Sequence, residues 1–164
     1  MMTTDLIDLV TQLGEALKRK RWMLAVAESC TGGGIANACT AIPGSSEWFE
    51  RGFVTYSNRA KTEMLSVPAE LIERHGAVSE EVARAMAEGA LIYSHADVAL
   101  SVTGIAGPGG GSLHKPVGTV WIACGGKGLQ VASKKYQFNG DRSAVRLEST
   151  ASALAQALVL IGSR

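Results

Sequence analysis

Trp22-Met23-Leu24-Ala25-Val26-Ala27-Glu28-Ser29-Cys30-Thr31-Gly32-Gly33-Gly34 is the stretch on which the fold turns. Trp22 to Ala27 is continuously apolar, as expected of a strand buried on both faces in a sheet that helices cover. The polar triplet Glu28-Ser29-Cys30 and three glycines then mark a strand-to-helix junction, and Thr31 to Ala41 reads as a helix closed by the turn signal Pro43-Gly44. A hydroxyl at such a junction stands beside unpaired backbone N–H groups, so a nucleophile and an anion site can be built together.

The segments on either side continue the alternation. Leu6, Leu9, Val10, Leu13 and Leu17 recur at helical spacing over residues 4–20, with Thr4 as the expected cap and Asp5 in the first turn. After the junction, Glu47 to Glu50 suits a helical turn and Gly52 to Tyr56 a second strand. Asn58 is the expected cap of a short helix through Leu65, Pro68 opens another to His75, and Ser79 caps a third that carries Val82, Met86, Gly89, Ala90 and Tyr93 on one face. Val98 to Val102 is a third strand, running into the glycine-rich loop Thr103 to Gly111. Val117 to Cys124 and Leu129 to Phe138 form a hairpin about Gly125 to Gly128. A last helix opens at Asp141, with Leu147, Ala151, Leu154, Leu158 and Ile161 expected along its apolar face. The pattern predicts an α/β fold: one layered α/β/α domain over residues 1–164, with a mixed, mostly parallel sheet and one β-hairpin.

The 164 residues carry 16 basic and 15 acidic side chains, for a net charge of +1, so bulk charge argues against nucleic acid or an anionic membrane as partner. The basic run Lys18-Arg19-Lys20-Arg21 falls at the end of the first helix, where cations suit the macrodipole. Three cysteines without a C-x-x-C pair indicate neither a disulfide framework nor a zinc site. The N-terminus lacks the layout of a signal peptide and no apolar run approaches a membrane span. A soluble cytoplasmic protein is expected.

In open α/β sheets ligands bind beyond the carboxyl ends of the strands, and three predicted strands end in polar or glycine-rich segments: Glu28 to Gly34, Tyr56 to Lys61 and Thr103 to Gly111. Ser29 is either a nucleophile or an ordinary helix cap. None of the three histidines falls in these segments, which leaves Lys61 as the candidate base. A lysine activates serine only when neutral, and lowering its pKa from about 10.4 to 7–8 corresponds to roughly 3.5–4.5 kcal/mol. Burial and a nearby cation would both act in that direction. Tyr56 could relay the proton or orient the lysine, or be a sheet-edge aromatic, and Lys61 itself could be an exposed helical lysine. Cys30 reads as a buried, inert thiol facing away from Ser29. The N–H groups of Cys30, Thr31 and Gly32 lie where an oxyanion or phosphate could be held. The loop Gly104 to Gly111 could wrap a phosphate, with Lys115 or Arg142 as counter-charge. G-x-G-x-x-G and G-x-x-x-x-G-K-[ST] are both absent, and Tyr56 and Lys61 are not at the spacing of a short-chain dehydrogenase.

Seven segments in order, Ala27 to Gly33, Pro43 to Ser46, Val54 to Lys61, Gly76 to Ser79, Thr103 to Pro108, Lys115 to Gly118 and Gly140 to Arg142, together resemble the CinA C-terminal-domain family. Stand-alone members of that family include nicotinamide-nucleotide amidases. The resemblance implies hydrolysis of the carboxamide of nicotinamide mononucleotide to nicotinate mononucleotide and ammonia, in pyridine-nucleotide salvage, without metal or organic cofactor. It implies Ser29 as nucleophile, Tyr56 and Lys61 as proton-transfer partners, and substrate contacts from Cys30, Thr31, Gly32, Thr103, Gly104 and Arg142. It also implies a small-molecule nucleotide as partner and a homo-oligomer. Ser66 stands where the family pattern has glycine, and Gly109 to Gly111 is unusually glycine-rich. Three other readings stay open: a non-catalytic pyridine-nucleotide-binding module, an amidase for another small amide, and a cysteine hydrolase using Cys30.

Overall fold

In the computed structural model, which describes residues 2–162, the apolar run before Ser29 is a strand, β1 (Leu24–Glu28), buried at every residue. It pairs in parallel with β2 (Phe49–Val54) on one side and β3 (Val98–Gly104) on the other. β4 (Thr119–Gly126) and β5 (Leu129–Gln137) form the expected hairpin, and the sheet order is β2-β1-β3-β4-β5. β4 is antiparallel to both of its neighbours, so four of the five strands run one way and the sheet is mixed but mostly parallel. Of the expected 1–164 span, residues 1, 163 and 164 lie outside the described residues.

Alternation along β1 sorts the helices into two layers, because successive side chains leave a strand on opposite faces. Leu24 and Val26 join a cluster with α1 (Thr4–Lys20), α2 (Gly34–Thr40) and α6 (Arg142–Gly162). Ala25 and Ala27 face α3 (Asn58–Leu65), α4 (Ala69–His75) and α5 (Glu80–Ile92). The chain leaves β1 towards β2 and returns past β1 to β3, which puts a switch point between β1 and β3. A crevice opens at the carboxyl ends of strands at such a point.

Several boundaries differ from the expected ones, each for a local reason. Thr3 rather than Thr4 caps α1, its hydroxyl accepting from Leu6 N at 3.3 Å, and Ser57 rather than Asn58 caps α3, accepting from Ala60 N at 3.0 Å. The helical turn expected at Glu47 to Glu50 is a short 3-10 turn at Ser45–Glu47, and β2 starts earlier, at Phe49. α2 begins at Gly34 instead of Thr31, because Gly32 and Gly33 take left-handed φ of 58° and 96° and wind residues 31–33 into turns. On α6 the buried stripe is Val145, Ser149, Ala153, Ala157 and Ile161, with Leu154 beside it, while Leu147 is 45 % exposed. Of the expected face, Leu154 and Ile161 are buried and Ala151 and Leu158 pack against the same core, so Leu147 alone departs from it. The expectation that nothing approaches a membrane span is also corrected: among the described residues α6 is long and apolar enough by composition. Its buried stripe, however, packs with α1 and the sheet in one core.

Ser29 is not a helix cap. The buried Glu28 takes that role, its Oε1 accepting from Ile35 N at 2.9 Å and its Oε2 from Ala36 N at 3.0 Å. A carboxylate at a helix N-terminus satisfies orphan donors and gains from the dipole. On the other layer, Gly89 of α5 lies directly against the backbone carbonyl of Leu65, the last residue of α3. A side chain there would push away the helix that carries Lys61.

Two stability predictions follow from these contacts. Glu28→Ala orphans two buried amides at about 1–3 kcal/mol each, so urea unfolding should show a loss of roughly 2–6 kcal/mol, with Glu28→Gln losing less because one acceptor remains. Gly89→Ala, which in an open helix would stabilise by about 0.5–1 kcal/mol, should instead destabilise by about 1–3 kcal/mol through overpacking.

Candidate active site

Beyond the carboxyl ends of β1 and β3 lies a cavity of about 200 Å³, lined by Ser29, Cys30, Tyr56, Asn58, Lys61, Ala77, Val78, Thr103, Gly104, Ala106 and Arg142. The three expected loops therefore meet, joined by a fourth segment, 77–78, between α4 and α5. Ser29 is held by its own N–H, which donates to Val102 O at 3.0 Å, so the end of β3 fixes the residue at the end of β1. Thr55 N donates to Glu28 O at 2.8 Å and fixes the exit from β2 in the same way. Thr103 is buried and donates from Oγ1 to Ala77 O at 2.8 Å, which ties segment 77–78 to the floor.

Lys61, in the second turn of α3, is 1 % exposed. Its Nζ lies 3.0 Å from Ser29 Oγ, 2.8 Å from Thr55 O and 3.4 Å from Tyr56 O. A neutral amine has two N–H donors and one lone pair. Two carbonyls and one hydroxyl match that inventory, with the lone pair left for the Ser29 proton. Burial lowers the Lys61 pKa to about 8, against a smaller upward effect of Cys30. The shift that serine activation requires thus comes from desolvation, without the neighbouring cation considered from the sequence.

The Tyr56 hydroxyl accepts from Arg142 Nη2 at 3.0 Å, and the residue is 62 % exposed. The Ser29–Lys61 contact is direct and does not pass through it. Arg142 also donates from Nη1 to Gly107 O at 2.8 Å, which spans the mouth between the β2–α3 loop and the glycine-rich loop. A neighbouring cavity of about 310 Å³ shares Ala106 and Arg142 and runs along the start of α6. Cys30 lines the cavity beside Ser29 instead of facing away, but burial pushes its thiol up to about 11. Such a thiol is unreactive near neutral pH, which opposes the cysteine-hydrolase reading.

Two expected contacts fall elsewhere. The side chain of Thr31 lines a separate cavity of about 320 Å³ among α1, α2 and α6. The Gly32 N–H is occupied by Ser29 O at 3.0 Å, so it is not a free oxyanion donor. The α2 N-terminus is filled by Glu28. Among the described residues, the N–H groups of Cys30 and Thr31 donate to no backbone carbonyl and stay the candidate oxyanion donors. Lys115 donates from Nζ to His75 O at 2.7 Å and, with His75 and His114, lines a different groove. Among the described residues no cluster of His, Cys, Asp and Glu is suited to a metal ion.

The sequence reading missed Asn58, taken for a cap, and segment 77–78, which only the fold brings across. It also missed Arg146, whose Nε donates to Cys30 O and Nη2 to Thr31 O, both at 3.1 Å. The available signal was spacing: Arg146 is four residues after Arg142 on one helix, hence on the same face.

Known proteins lie near this chain in sequence and shape. The chain is 56 % identical over 158 residues to the nicotinamide-nucleotide amidohydrolase PncC of Enterobacter agglomerans, covering 96 % of each chain. It is 52 % identical over 154 residues to the protein of that name from Escherichia coli K12, covering 94 % of this chain and 93 % of the other. The crystal structure of the competence/damage inducible protein CihA from Agrobacterium tumefaciens superposes with a TM-score of 0.95 at 42 % identity, over 99 % of this chain and 98 % of that one. The family model described as CinA C-terminal domain matches residues 6–161, from α1 to the end of α6, and the chain belongs to that family.

Proposed function

We propose that this chain is an enzyme that hydrolyses the carboxamide of nicotinamide mononucleotide, giving nicotinate mononucleotide and ammonia. The observation that carries the reading is the 3.0 Å contact between Ser29 Oγ and the buried Nζ of Lys61; the names of the relatives at 52–56 % identity support the substrate. Ser29 Oγ attacks the carboxamide carbon while the neutral amine of Lys61 takes its proton. The Cys30 and Thr31 N–H groups receive the oxyanion of the tetrahedral intermediate. Lys61 then returns the proton to the departing nitrogen and ammonia leaves. Water attacks the acyl-enzyme carbonyl while the again neutral Lys61 takes its proton, and Lys61 passes that proton to Ser29 Oγ as the ester bond breaks and nicotinate mononucleotide leaves.

Tyr56 and Arg142 take the nucleotide end. A cavity of about 200 Å³ is small beside the several hundred Å³ usual for whole ligands, and it suits the pyridine ring. The ribose and phosphate then extend past Arg142 into the adjoining cavity, where the guanidinium keeps donors for a phosphate. Tyr56, expected to transfer a proton, thus belongs to substrate binding, and Thr103, expected to touch the substrate, to positioning. The spatial match of base and nucleophile favours turnover over a purely binding module.

Ammonia release from the mononucleotide tests this reading. Ser29→Ala should lose activity at least about 1,000-fold, and Lys61→Met, which keeps the buried stem, about 100- to 10,000-fold. Unchanged turnover in either variant would sink the mechanism. Because the base must be neutral, kcat/KM should rise about tenfold per pH unit below the Lys61 pKa of about 8 and level above it. An inflection nearer the ordinary lysine value of 10.5 would remove Lys61 from that role. Nicotinamide itself, lacking the ribose phosphate, should be turned over more slowly because remote binding energy is lost.

A further inference from the structure

The loop that follows Ser29 is held from two sides. Glu28 fixes the start of α2 from below, and Arg146 of α6 reaches over residues 30–32. Nε of Arg146 donates to Cys30 O and Nη2 to Thr31 O, each at 3.1 Å. This fork requires two successive carbonyls to face one guanidinium, which ordinary extended backbone does not provide. Gly32 supplies the turn with φ of 58°, and a Cβ there would lie 3.4 Å from Arg146 Nη2. Arg146 does not line the Ser29 cavity; it lines the separate cavity on the α1, α2 and α6 side.

The consequence lies in the peptide group itself. Cys30 O and Thr31 N–H belong to one peptide unit, which is not among the chain's cis bonds. In a trans unit the carbonyl and N–H point in opposite directions. With Cys30 O turned to α6 by Arg146, the Thr31 N–H points away from Arg146 and, among the described residues, meets no backbone acceptor. A cation on the carbonyl also draws charge through the unit and makes its N–H a stronger donor, as hydrogen-bonded chains polarise one another. We propose that Arg146 is a positioning residue that turns and polarises the Cys30–Thr31 peptide so that the Thr31 N–H serves as the oxyanion donor. The inference rests on the Ser29 amidase reading above. It adds a residue that touches no substrate yet acts on the transition state.

Such a residue leaves substrate binding intact and affects the chemical step. Arg146→Ala should lower kcat for ammonia release about 10- to 100-fold, approaching the loss of one oxyanion donor, with KM unchanged. Arg146→Lys, which keeps charge and stem but replaces the planar fork by a point charge, should fall between wild type and Arg146→Ala. Millimolar guanidinium should restore part of the Arg146→Ala rate and leave wild type unaffected. A fluorophosphonate, whose adduct with Ser29 is tetrahedral and sets a phosphoryl oxygen where the oxyanion would lie, should label Arg146→Ala more slowly by a similar factor. Thermal melting accompanies each variant, and Arg146→Lys keeps the test open if Arg146→Ala does not fold. A loss confined to KM, an unchanged kcat, or a loss that tracks melting and ignores guanidinium would overturn the proposal. Wild type that is labelled at Ser29 but releases no ammonia would sink the substrate reading alone, with the labelling rates still deciding Arg146. Wild type that neither reacts nor turns over would sink both.

Discussion

A lysine amine with 1 % exposure, set 3.0 Å from a serine hydroxyl, is the constraint around which this structure is organised. Burying an ammonium is costly unless it is paired, and among the described residues no carboxylate forms an ion pair with Lys61; the partners of its Nζ are two carbonyls and one hydroxyl. The group meets that environment by becoming easier to deprotonate, and its pKa falls to about 8. At about 1.4 kcal/mol per pKa unit, the shift represents a few kcal/mol of preference for the neutral amine. Stability given up at this position supplies the neutral amine that the proposed Ser29 nucleophile requires.

The sheet supplies the rest. Reversal of strand order at β1 brings the ends of β1 and β3 together, and their backbones lock Ser29 and Thr55 in place through Val102 O and Glu28 O. Small residues on one face of β1, Ala25 and Ala27, let α3 and α5 approach closely. Gly89, in contact with the Leu65 carbonyl, allows the same closeness one layer out. Lys61 can therefore reach the end of β1 from a helix that belongs to the far layer. The helix that follows Ser29 is closed to ligands, since Glu28 satisfies its first amides. In the proposed reaction, the N–H groups of Cys30 and Thr31, which have no backbone acceptor among the described residues, are left to meet the negative charge that develops on the substrate.

Much of the architecture was legible because burial writes a period into the chain. The unbroken apolar run of β1, the glycine hairpin of β4 and β5 and the Ser79 cap are local signals, and each is present, although β1 and β4 begin two residues later than read. Errors collected where local signals compete. Thr3 and Thr4, or Ser57 and Asn58, are adjacent residues of equal capping aptitude, and only the path of the preceding chain chooses between them. On α6 the periodicity of apolar residues extended to Leu147, which is exposed, because in its first half the inner face is built from Val145, Ser149 and Ala153, with Leu154 and Ile161 continuing it as read.

By itself the sequence determined which residues are candidates for chemistry: a serine at a strand-to-helix junction, a lysine a short way into a later helix and an arginine at the start of the last one. It did so because residue type and junction are local properties. Tertiary structure alone decided what each of them does. Whether Lys61 is neutral depends on how many layers of protein exclude water from it. Whether Tyr56 meets Ser29 or Arg142 depends on the path of the β2–α3 loop, and the structure gives it to Arg142. Whether Thr31 offers its side chain or its N–H depends on which way a peptide plane is turned, and that is governed by Arg146, 115 residues away along the chain. Distances of this kind arise only when separate segments pack, so no local pattern encodes them.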